Sequence, residues 1–112
     1  MSYVPKSINW QEIIKTIDEP WQPKEVLCFN DQIVRIAKFE GEYHWHTHEQ
    51  EDEVFFVISG EIVIQIKEGT DIVLKQGEMG MVPKGIEHCP KSEDPSIVLM
   101  IEPDSLNSSG DS

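Results

Sequence analysis

The sequence is poor in arginine and in positive charge. Only one of its 112 residues is arginine, Arg35, and nine Lys and Arg residues stand against 21 Asp and Glu, which gives a net charge of −12. A field of this sign repels nucleic acid and anionic membrane surfaces. One arginine also leaves a single candidate for forked recognition of a phosphate group. We therefore expect a small-molecule substrate or ligand as the partner, and neither nucleic acid nor a membrane.

Long hydrophobic runs are absent as well. The longest apolar segments, Val54–Ile58 and Ile97–Ile101, have five residues each, whereas a membrane-spanning helix needs about 20. The N-terminal residues lack the charged-then-apolar profile of an export signal, so we expect a cytoplasmic protein. Two cysteines, Cys28 and Cys89, are too few for a disulfide scaffold and are more typical of reduced thiols.

The chain length fits one domain, and its texture changes near residue 25. Before Pro20 lies one short helix candidate, in which Asn9 can cap the start and Glu12 can reach back to the cap. From residue 25 onward, short β-branched runs alternate with turn residues at the spacing of an all-β sandwich or barrel. We expect an N-terminal helix and arm in residues 1–24, a β-barrel in residues 25–103 and a disordered tail in residues 104–112.

Nine segments of the barrel region have the composition of β-strands. The alternation is cleanest in Ile62–Lys67, where three isoleucines share one face and should line a core. The predicted strands are Val26–Phe29, Ile33–Phe39, Tyr43–His48, Val54–Ile58, Ile62–Lys67, Asp71–Leu74, Met79–Val82, His88 with its neighbours, and Ile97–Ile101.

The histidines are the residues that indicate chemistry. All four lie at positions 44, 46, 48 and 88, and the first three alternate directly before the acidic stretch Glu49–Glu53. On an extended strand, residues i and i+2 point to the same side with Cα atoms roughly 6.5–7 Å apart, so two imidazoles can reach one ion. A carboxylate on the next strand and one more histidine would complete a site of nitrogen and oxygen donors. Such a site suits Fe(II), Mn, Zn, Ni or Cu rather than Ca.

Two motifs around these residues resemble those of the cupin family. The string Gly41-x4-His46-x-His48-x4-Glu53-x6-Gly60 is similar to the first cupin motif. The string Gly77-x5-Pro83-x-Gly85-x2-His88 is similar to the second. The resemblance implies an all-β cupin fold, a double-stranded β-helix or jelly-roll barrel whose mouth holds a metal.

Carried over by position, the resemblance implies that the metal ligands are His46, His48, Glu53 and His88. Asp52 also falls within the tolerated spacing. Glu53 is preferred because it leaves six residues before Gly60 and shares its strand face with Phe55 and Val57. The sequence departs from the family pattern in two places: the first motif's glycine lies one residue closer to the histidine pair, and Ser92 stands where the second motif often ends in Asn. Both departures concern turns rather than ligands.

The roles of several neighbouring residues stay open. His44 shares the parity of the ligand pair, so it could be a fifth ligand, a base beside the site, or a solvent-facing side chain. Tyr43 and Trp45 alternate with the histidines, and we expect them outside the barrel or in a dimer contact. Six apolar residues could line a pocket or belong to the plain core: Phe55, Val57, Ile64, Ile66, Met81 and Met100.

Two functions remain from different classes. The first is a metal-dependent enzyme acting on a small neutral or weakly charged organic molecule, either by dioxygenase chemistry on an enol, catechol or diketone or by Lewis-acid chemistry. The second is a non-catalytic module that binds a metal and a small ligand for sensing or storage. The resemblance also implies a homodimer, for which an apolar region could supply the contact: Val4, Trp10, Trp21 and Val26.

Overall fold

The computed structural model describes residues 5–106 and 110. The expected all-β fold is confirmed: within this part of the chain lie one short helix and seven strands, and every strand pair is antiparallel. The elements are α1 (Trp10–Ile14), β1 (Lys24–Phe29), β2 (Gln32–Glu42), β3 (Glu53–Ser59), β4 (Glu61–Ile66), β5 (Ile72–Lys75), β6 (Met79–Val82) and β7 (His88–Pro103).

The strand order explains how the sheet closes into a barrel. One path runs β1-β2-β7-β3-β6, while β4 pairs with both β5 and β7. Strand β7 has 16 residues. β4 pairs with its first four residues, from Ile66 opposite His88 to Val63 opposite Lys91. β3 pairs with its second half, and β2 pairs along it from Lys91 to Pro103. Because one strand belongs to both walls, the chain forms a jelly roll around a single core.

Strand alternation determines which side chains fill this core. Along β3, Glu53, Phe55 and Val57 are buried, while the residues between them are half-buried. Ile62 and Ile64 of β4 are fully buried, as the isoleucine pattern predicts. The core cluster comprises Ala37, Phe39, Phe55, Val57, Ile62, Ile64, Leu74, Val82, Val98 and Met100.

The N-terminal helix begins as the sequence predicts. The side chain of Asn9 accepts a hydrogen bond from the backbone N–H of Gln11 at 3.0 Å, which satisfies one of the free N–H groups of the first turn. Glu12 pairs with Lys15 at 3.2 Å, so the predicted contact of its side chain with the cap is replaced by a bond within the helix. No helix in residues 5–106 is long and apolar enough to cross a membrane.

The structure differs from the sequence prediction in two strands. Residues 43–48 do not form a strand; His46 alone pairs with His88, as an isolated bridge. Gly41, at φ +79°, lies where the register of β2 against β7 shifts, and the chain leaves the sheet soon afterwards. The two strands predicted near His88 and at Ile97–Ile101 are one continuous strand, β7.

The C-terminal segment also packs more closely than expected for a disordered tail. Leu106 is only 3% exposed, and the hydroxyl of Ser105 donates a hydrogen bond to Glu51 at 3.0 Å. The packing of Leu106 explains this, since burying even one leucine side chain is worth about 1.5–3 kcal/mol. Residues 107–109 and 111–112 of the predicted tail, and Val4 of the predicted dimer contact, lie outside the described residues.

Candidate metal centre

The four residues that the sequence suggests as ligands come together at one end of the barrel. His46 and His48 lie in the segment after β2, Glu53 begins β3, and His88 begins β7. One donor atom from each lies within 4.8 Å of all the others. All four side chains are buried, with exposed fractions of 9% or less. The fold therefore brings two separate stretches of the chain to a single point.

Backbone hydrogen bonds orient two of the imidazoles. His46 and His88 exchange N–H to C=O bonds of 3.0 Å. The ring Nδ1 of His46 donates to the carbonyl of His44, and that of His88 donates to the carbonyl of Ile86, each at 2.9 Å. A carbonyl can only accept, so the proton of each neutral ring sits on Nδ1. The Nε2 lone pairs are thereby left for a ligand.

The remaining donor atoms have the geometry that a cation needs. Glu53 Oε1 lies 3.5 Å from His48 Nε2 and 3.7 Å from His88 Nε2. All three of these atoms are buried without a hydrogen-bond partner among the described residues. Such unpartnered atoms are costly. Two ligand atoms at right angles on one metal lie ~3.0 Å apart, so a small inward movement would satisfy all three. The residues present fit a divalent transition metal.

The electrostatics of the site give the protonation states that metal binding requires. Burial lowers the pKa of His46 to about 4, despite the hydrogen bond to His44, so this ring is neutral at pH 7. Burial raises the pKa of Glu53, but its interactions with the nearby His48, His88 and Glu102 side chains outweigh burial and hold the pKa below its ordinary range. A neutral imidazole and an anionic carboxylate are the forms that coordinate a metal.

Behind Glu53 lies a carboxyl group that sequence reasoning missed. Glu102 of β7 is 1% exposed, and Arg35 of β2 contacts its Oε1 at 2.5 Å. Burial and the neighbouring Glu53 carboxylate raise the pKa of Glu102 to about 9, against the opposing effect of Arg35. Glu102 is therefore protonated at neutral pH, and its Oε2 is buried without a hydrogen-bond partner among the described residues. The alternation of β7 carries the signal, because Glu102 shares an inward face with Val98 and Met100.

This arrangement also occupies the chain's only arginine. The guanidinium of Arg35 is directed at Glu102 and is 17% exposed. This guanidinium is therefore not available to bind a phosphate group from solution. The low arginine content led us to expect a substrate without a phosphate group. The pairing of Arg35 with Glu102 gives a structural reason for that expectation.

Beside the four residues lies a small cavity of about 30 Å³ that is open to solvent. His46 and Glu53 form its polar side, and the rest of its lining is apolar or aromatic: Trp21, Pro23, Ala37, Phe39, Tyr43, Phe55, Pro90 and Met100. Of the predicted lining candidates, Phe55 and Met100 are in place, whereas Val57 and Ile64 belong to the core. Met81 is wrong in either predicted role, because it is 51% exposed on the outer surface.

The aromatic residues near the site are arranged differently from the prediction. Tyr43 lies in the cavity wall rather than outside the barrel, with its ring centroid 4.8 Å from that of Trp21. Burial, and to a smaller extent the Glu53 carboxylate, raise the pKa of Tyr43. Trp45 does lie outside, 40% exposed, with Lys67 Nζ 5.7 Å from its ring centroid. The loop conformation of residues 43–48 accounts for the inward turn of Tyr43, since strict strand alternation does not apply there.

His44 and the C-terminal segment border the site without joining it. The group of converging donors found among residues 5–106 and 110 does not include His44. Its side chain is exposed, and its ring lies 4.0 Å from that of Tyr43. Its carbonyl holds His46, as described above. Gly110 is buried against His46, and a Cβ at position 110 would lie 2.5 Å from the Cβ of His46.

Comparison with known proteins agrees with this architecture. Residues 32–102 match the family model of the cupin domain. In solved structures, a cupin-2 domain containing protein from Shewanella frigidimarina NCIMB 400 is similar, with a TM-score of 0.81 and 35% identity, covering 86% of this chain and 93% of that one.

Two curated relatives show sequence similarity. An uncharacterized protein, YdbB of Bacillus subtilis (strain 168), is 41% identical over 73 residues, which are 65% of each chain. The 3-hydroxyanthranilate 3,4-dioxygenase of Caenorhabditis elegans is 38% identical over 66 residues, which are 56% of this chain and 24% of that enzyme. The chain thus spans about two-thirds of the first relative and about a quarter of the second.

Proposed function

Since this chain belongs to the cupin family, we propose that it is a metal-dependent enzyme of dioxygenase type, acting on a small neutral or weakly charged organic molecule. The observation that carries the proposal is the cluster of buried, unpartnered donor atoms at the side of an apolar cavity. A binding site needs an apolar cavity with a few convergent polar groups. A catalytic one also needs a reactive centre that the bound molecule can reach, and the cavity opens on His46 and Glu53.

In this proposal, His46, His48, Glu53 and His88 hold a divalent transition metal, Fe, Mn, Zn, Ni or Cu. With positions left open, a redox metal supplies dioxygen chemistry and a non-redox metal supplies Lewis acidity. Among the chain's own groups, the neutral carboxyl of Glu102 can donate a hydrogen bond to the Glu53 carboxylate and so orient it. The apolar walls exclude water from the reacting face of the substrate.

The hydroxyl of Tyr43 is a hydrogen-bond donor beside the site. Its raised pKa keeps the phenol protonated at neutral pH, so the hydroxyl can donate a hydrogen bond to an oxygen of the bound molecule. Its ring stands edge-on to that of His46, with centroids 5.4 Å apart. A substrate oxygen near the metal centre would therefore lie close to this side chain.

Dioxygenase chemistry is preferred over Lewis-acid chemistry because one of the relatives is named as a dioxygenase. That likeness covers 56% of this chain and only 24% of the enzyme's length, so it supports the type of reaction and not the substrate. The lining of the cavity supports a neutral or weakly charged molecule, since it contains no lysine or arginine.

The test is oxygen consumption by protein loaded with Fe(II). A panel of a catechol, an enol and acetylacetone is offered to the wild type, to the zinc-loaded protein and to a His48→Ala variant exposed to the same iron. We expect oxygen uptake with at least one compound in the iron-loaded wild type alone. Equal uptake in all three samples, or uptake independent of the organic compound, would contradict the proposal.

A non-catalytic module that binds a metal and a small ligand is the alternative. In that case a compound of the panel would raise the melting temperature of the metal-loaded protein without being altered. Turnover detected by chromatography of the same incubation excludes this alternative.

We also propose that the chain forms a homodimer through the outer face of its sheet. By register, this face carries two apolar rows that cross three strands: Ile101, Val54 and Met81, and Leu99, Phe56 and Met79. The rows continue on β2 as Val34 and Ile36, which are buried within the chain itself. Met79 and Met81 remain 59% and 51% exposed, as at a typical interface. We expect sedimentation velocity to give a dimer for the wild type and a monomer for Phe56→Lys/Met81→Lys. A monomeric wild type would contradict this.

A further inference from the structure

We propose that Trp21 determines the specificity of the cavity and selects a flat, uncharged aromatic ring carrying oxygen donors that reach the metal centre. This inference rests on the proposed function for the metal centre itself, and it adds the class of molecule that lies against the cavity's other wall. That wall, called here the aromatic wall, consists of Trp21, Phe39 and Tyr43.

The backbone of Trp21 provides the first argument. Its φ is +64°, in the left-handed region, where a bulky residue is a genuine outlier. Such strain persists only where the surroundings hold it, and it clusters at ligand sites. Two hydrogen bonds of 2.9 Å hold Trp21: its backbone N–H donates to the carbonyl of Lys38, and its indole Nε1–H donates to the carbonyl of Glu40. The indole is thus fixed in both position and orientation.

The packing of the indole provides the second argument. Its centroid lies 4.8 Å from that of Tyr43 with a 26° angle between the ring planes, and 4.4 Å from that of Phe39. Tyr43 in turn meets the ligand candidate His46 edge-on, at 5.4 Å. The wall is therefore continuous from the N-terminal arm to the metal centre. Fixed aromatic faces favour offset or edge contacts with another ring.

The charge of the cavity provides the third argument. No lysine or arginine lines it, and the guanidinium of Arg35 is bound to Glu102. The metal would be the only positive group available to an anionic ligand, in a protein of net charge −12. A ring with neutral or weakly acidic oxygen donors fits these surroundings better than a phosphorylated or multiply charged molecule.

The structure gives Trp21 a role that the sequence did not suggest. The sequence places this residue in the apolar region expected to form a dimer contact. Its ring instead packs on the cavity wall of its own chain. If Trp21 only closes the end of the barrel, replacing it should change the affinity for all ligands equally. If Trp21 determines specificity, replacing it should change the affinity for aromatic ligands alone. This difference decides the experiment.

The experiment compares two chelators on zinc-loaded protein, which cannot turn over by redox chemistry. The ring probe is 4-nitrocatechol and the acyclic probe is acetohydroxamic acid, since both bind metals through two oxygens. We expect Trp21→Leu to weaken 4-nitrocatechol binding about tenfold, as for the loss of a stacked aromatic contact together with its buried area. Acetohydroxamic acid should change less than about twofold, because it does not reach the wall. Trp45→Leu, at an exposed tryptophan, is the matched control and should change neither affinity.

Equal losses for both probes in Trp21→Leu would overturn the inference, and so would no loss for either. If Trp21→Leu does not fold, Trp21→Phe, which keeps a smaller ring, takes its place, and it should weaken only 4-nitrocatechol. Phenol, which does not chelate, provides a readout without metal: saturation-transfer NMR should detect phenol binding to the metal-free wild type and to Trp45→Leu, and should detect none with Trp21→Leu.

These readouts separate the two proposals. A wild type that takes up no zinc contradicts the proposed function, while Trp21-dependent phenol binding would still support the aromatic wall. Zinc uptake at one ion per chain, with ring and acyclic probes insensitive to Trp21, contradicts this inference alone.

Discussion

The cavity has two walls that are built in opposite ways. The polar wall is the group of His46, His48, Glu53 and His88, of which His46 and Glu53 line the cavity. Glu53 Oε1 and the Nε2 atoms of His48 and His88 are buried without a hydrogen-bond partner among the described residues. The aromatic wall of Trp21, Phe39 and Tyr43 consists of rings in mutual contact. The polar wall therefore makes the metal-free protein less stable, whereas the aromatic wall stabilises the fold. From this difference we infer that the polar wall is arranged for a bound cation, since no other group in the described chain forms hydrogen bonds with its unpartnered atoms.

The largest expected effect comes from breaking the polar wall. His48→Ala removes one donor of four, and we expect metal content to fall from one ion per chain to a trace, a loss of at least about 100-fold in affinity. The barrel should stay folded, with a melting temperature of the metal-free form no lower than that of the wild type, because an unpartnered buried group is removed. Elemental analysis and circular dichroism measure the two quantities.

His44→Ala is the matched control, because His44 is the neighbouring histidine that lies outside the donor group. It should retain one ion per chain. Unchanged metal content in His48→Ala, or its loss in His44→Ala, would contradict the assignment of the polar wall.

The next effect tests the support behind the polar wall. Glu102→Gln and Arg35→Met disturb the groups that hold Glu53, and changes of this kind typically reduce metal affinity by about 10–100-fold. A competition titration with a chromogenic chelator measures the affinity. Glu25→Gln, at an exposed glutamate of β1, should leave it unchanged. Equal affinities in all four proteins would show that Glu53 needs no such support.

The two walls also differ in how far the sequence predicts them. The polar wall is predictable because its residues are chemically distinctive and because the spacing of His46, His48, Glu53 and His88 resembles a family pattern. The aromatic wall is not, since Trp21 reaches the cavity through an unusual backbone conformation and Tyr43 lies on a loop. Glu102 falls between these cases: alternation points it inward, but its partner Arg35 is 67 residues away in sequence.

The same contrast applies to the fold. Alternation predicts the central strands well, and Met79–Val82 matches β6 at both ends. It fails at residues 43–48, which form no strand and in which His46 alone makes a β-bridge, with His88. It also divides β7, because Lys91, Glu93 and Asp94 interrupt the apolar pattern although the strand continues through them.

A smaller expected effect is the pH dependence of stability, to which His46 and Glu102 contribute with opposite signs. The pKa of His46 is lowered to about 4 in the folded protein, below the usual 6.5. Its contribution to stability is therefore complete above pH 6.5 and is lost as the pH falls toward 4. Glu102 has the opposite slope: with a folded pKa of about 9, the folded state loses stability as the pH rises from 4.5 to 9.

Metal-free Glu102→Gln should therefore lose the alkaline decline of the melting temperature and keep the acid decline, each roughly 5 °C in size. Thermal scans from pH 4 to 9 check this. The metal-loaded wild type should fall more steeply on the acid side, because a protonated imidazole cannot bind the metal. Identical pH profiles for the wild type and Glu102→Gln would contradict the protonation state assigned to Glu102.

The smallest effect concerns the aromatic wall. Tyr43→Phe keeps the ring and removes one hydroxyl, so the melting temperature should change little. The affinity of the zinc-loaded protein for 4-nitrocatechol should fall about threefold, as for the loss of one neutral hydrogen bond. Isothermal titration calorimetry measures it. An unchanged affinity would show that the hydroxyl does not contact the bound ring.

X-ray absorption spectroscopy of the protein loaded with one equivalent of Zn(II) tests the central claim most directly. Three imidazole nitrogens and one carboxylate oxygen should surround the ion at about 2.0–2.2 Å, and the imidazole signal should weaken in His88→Ala. A shell containing sulfur, or fewer than two imidazoles in the wild type, would contradict the proposal that these four side chains hold the metal.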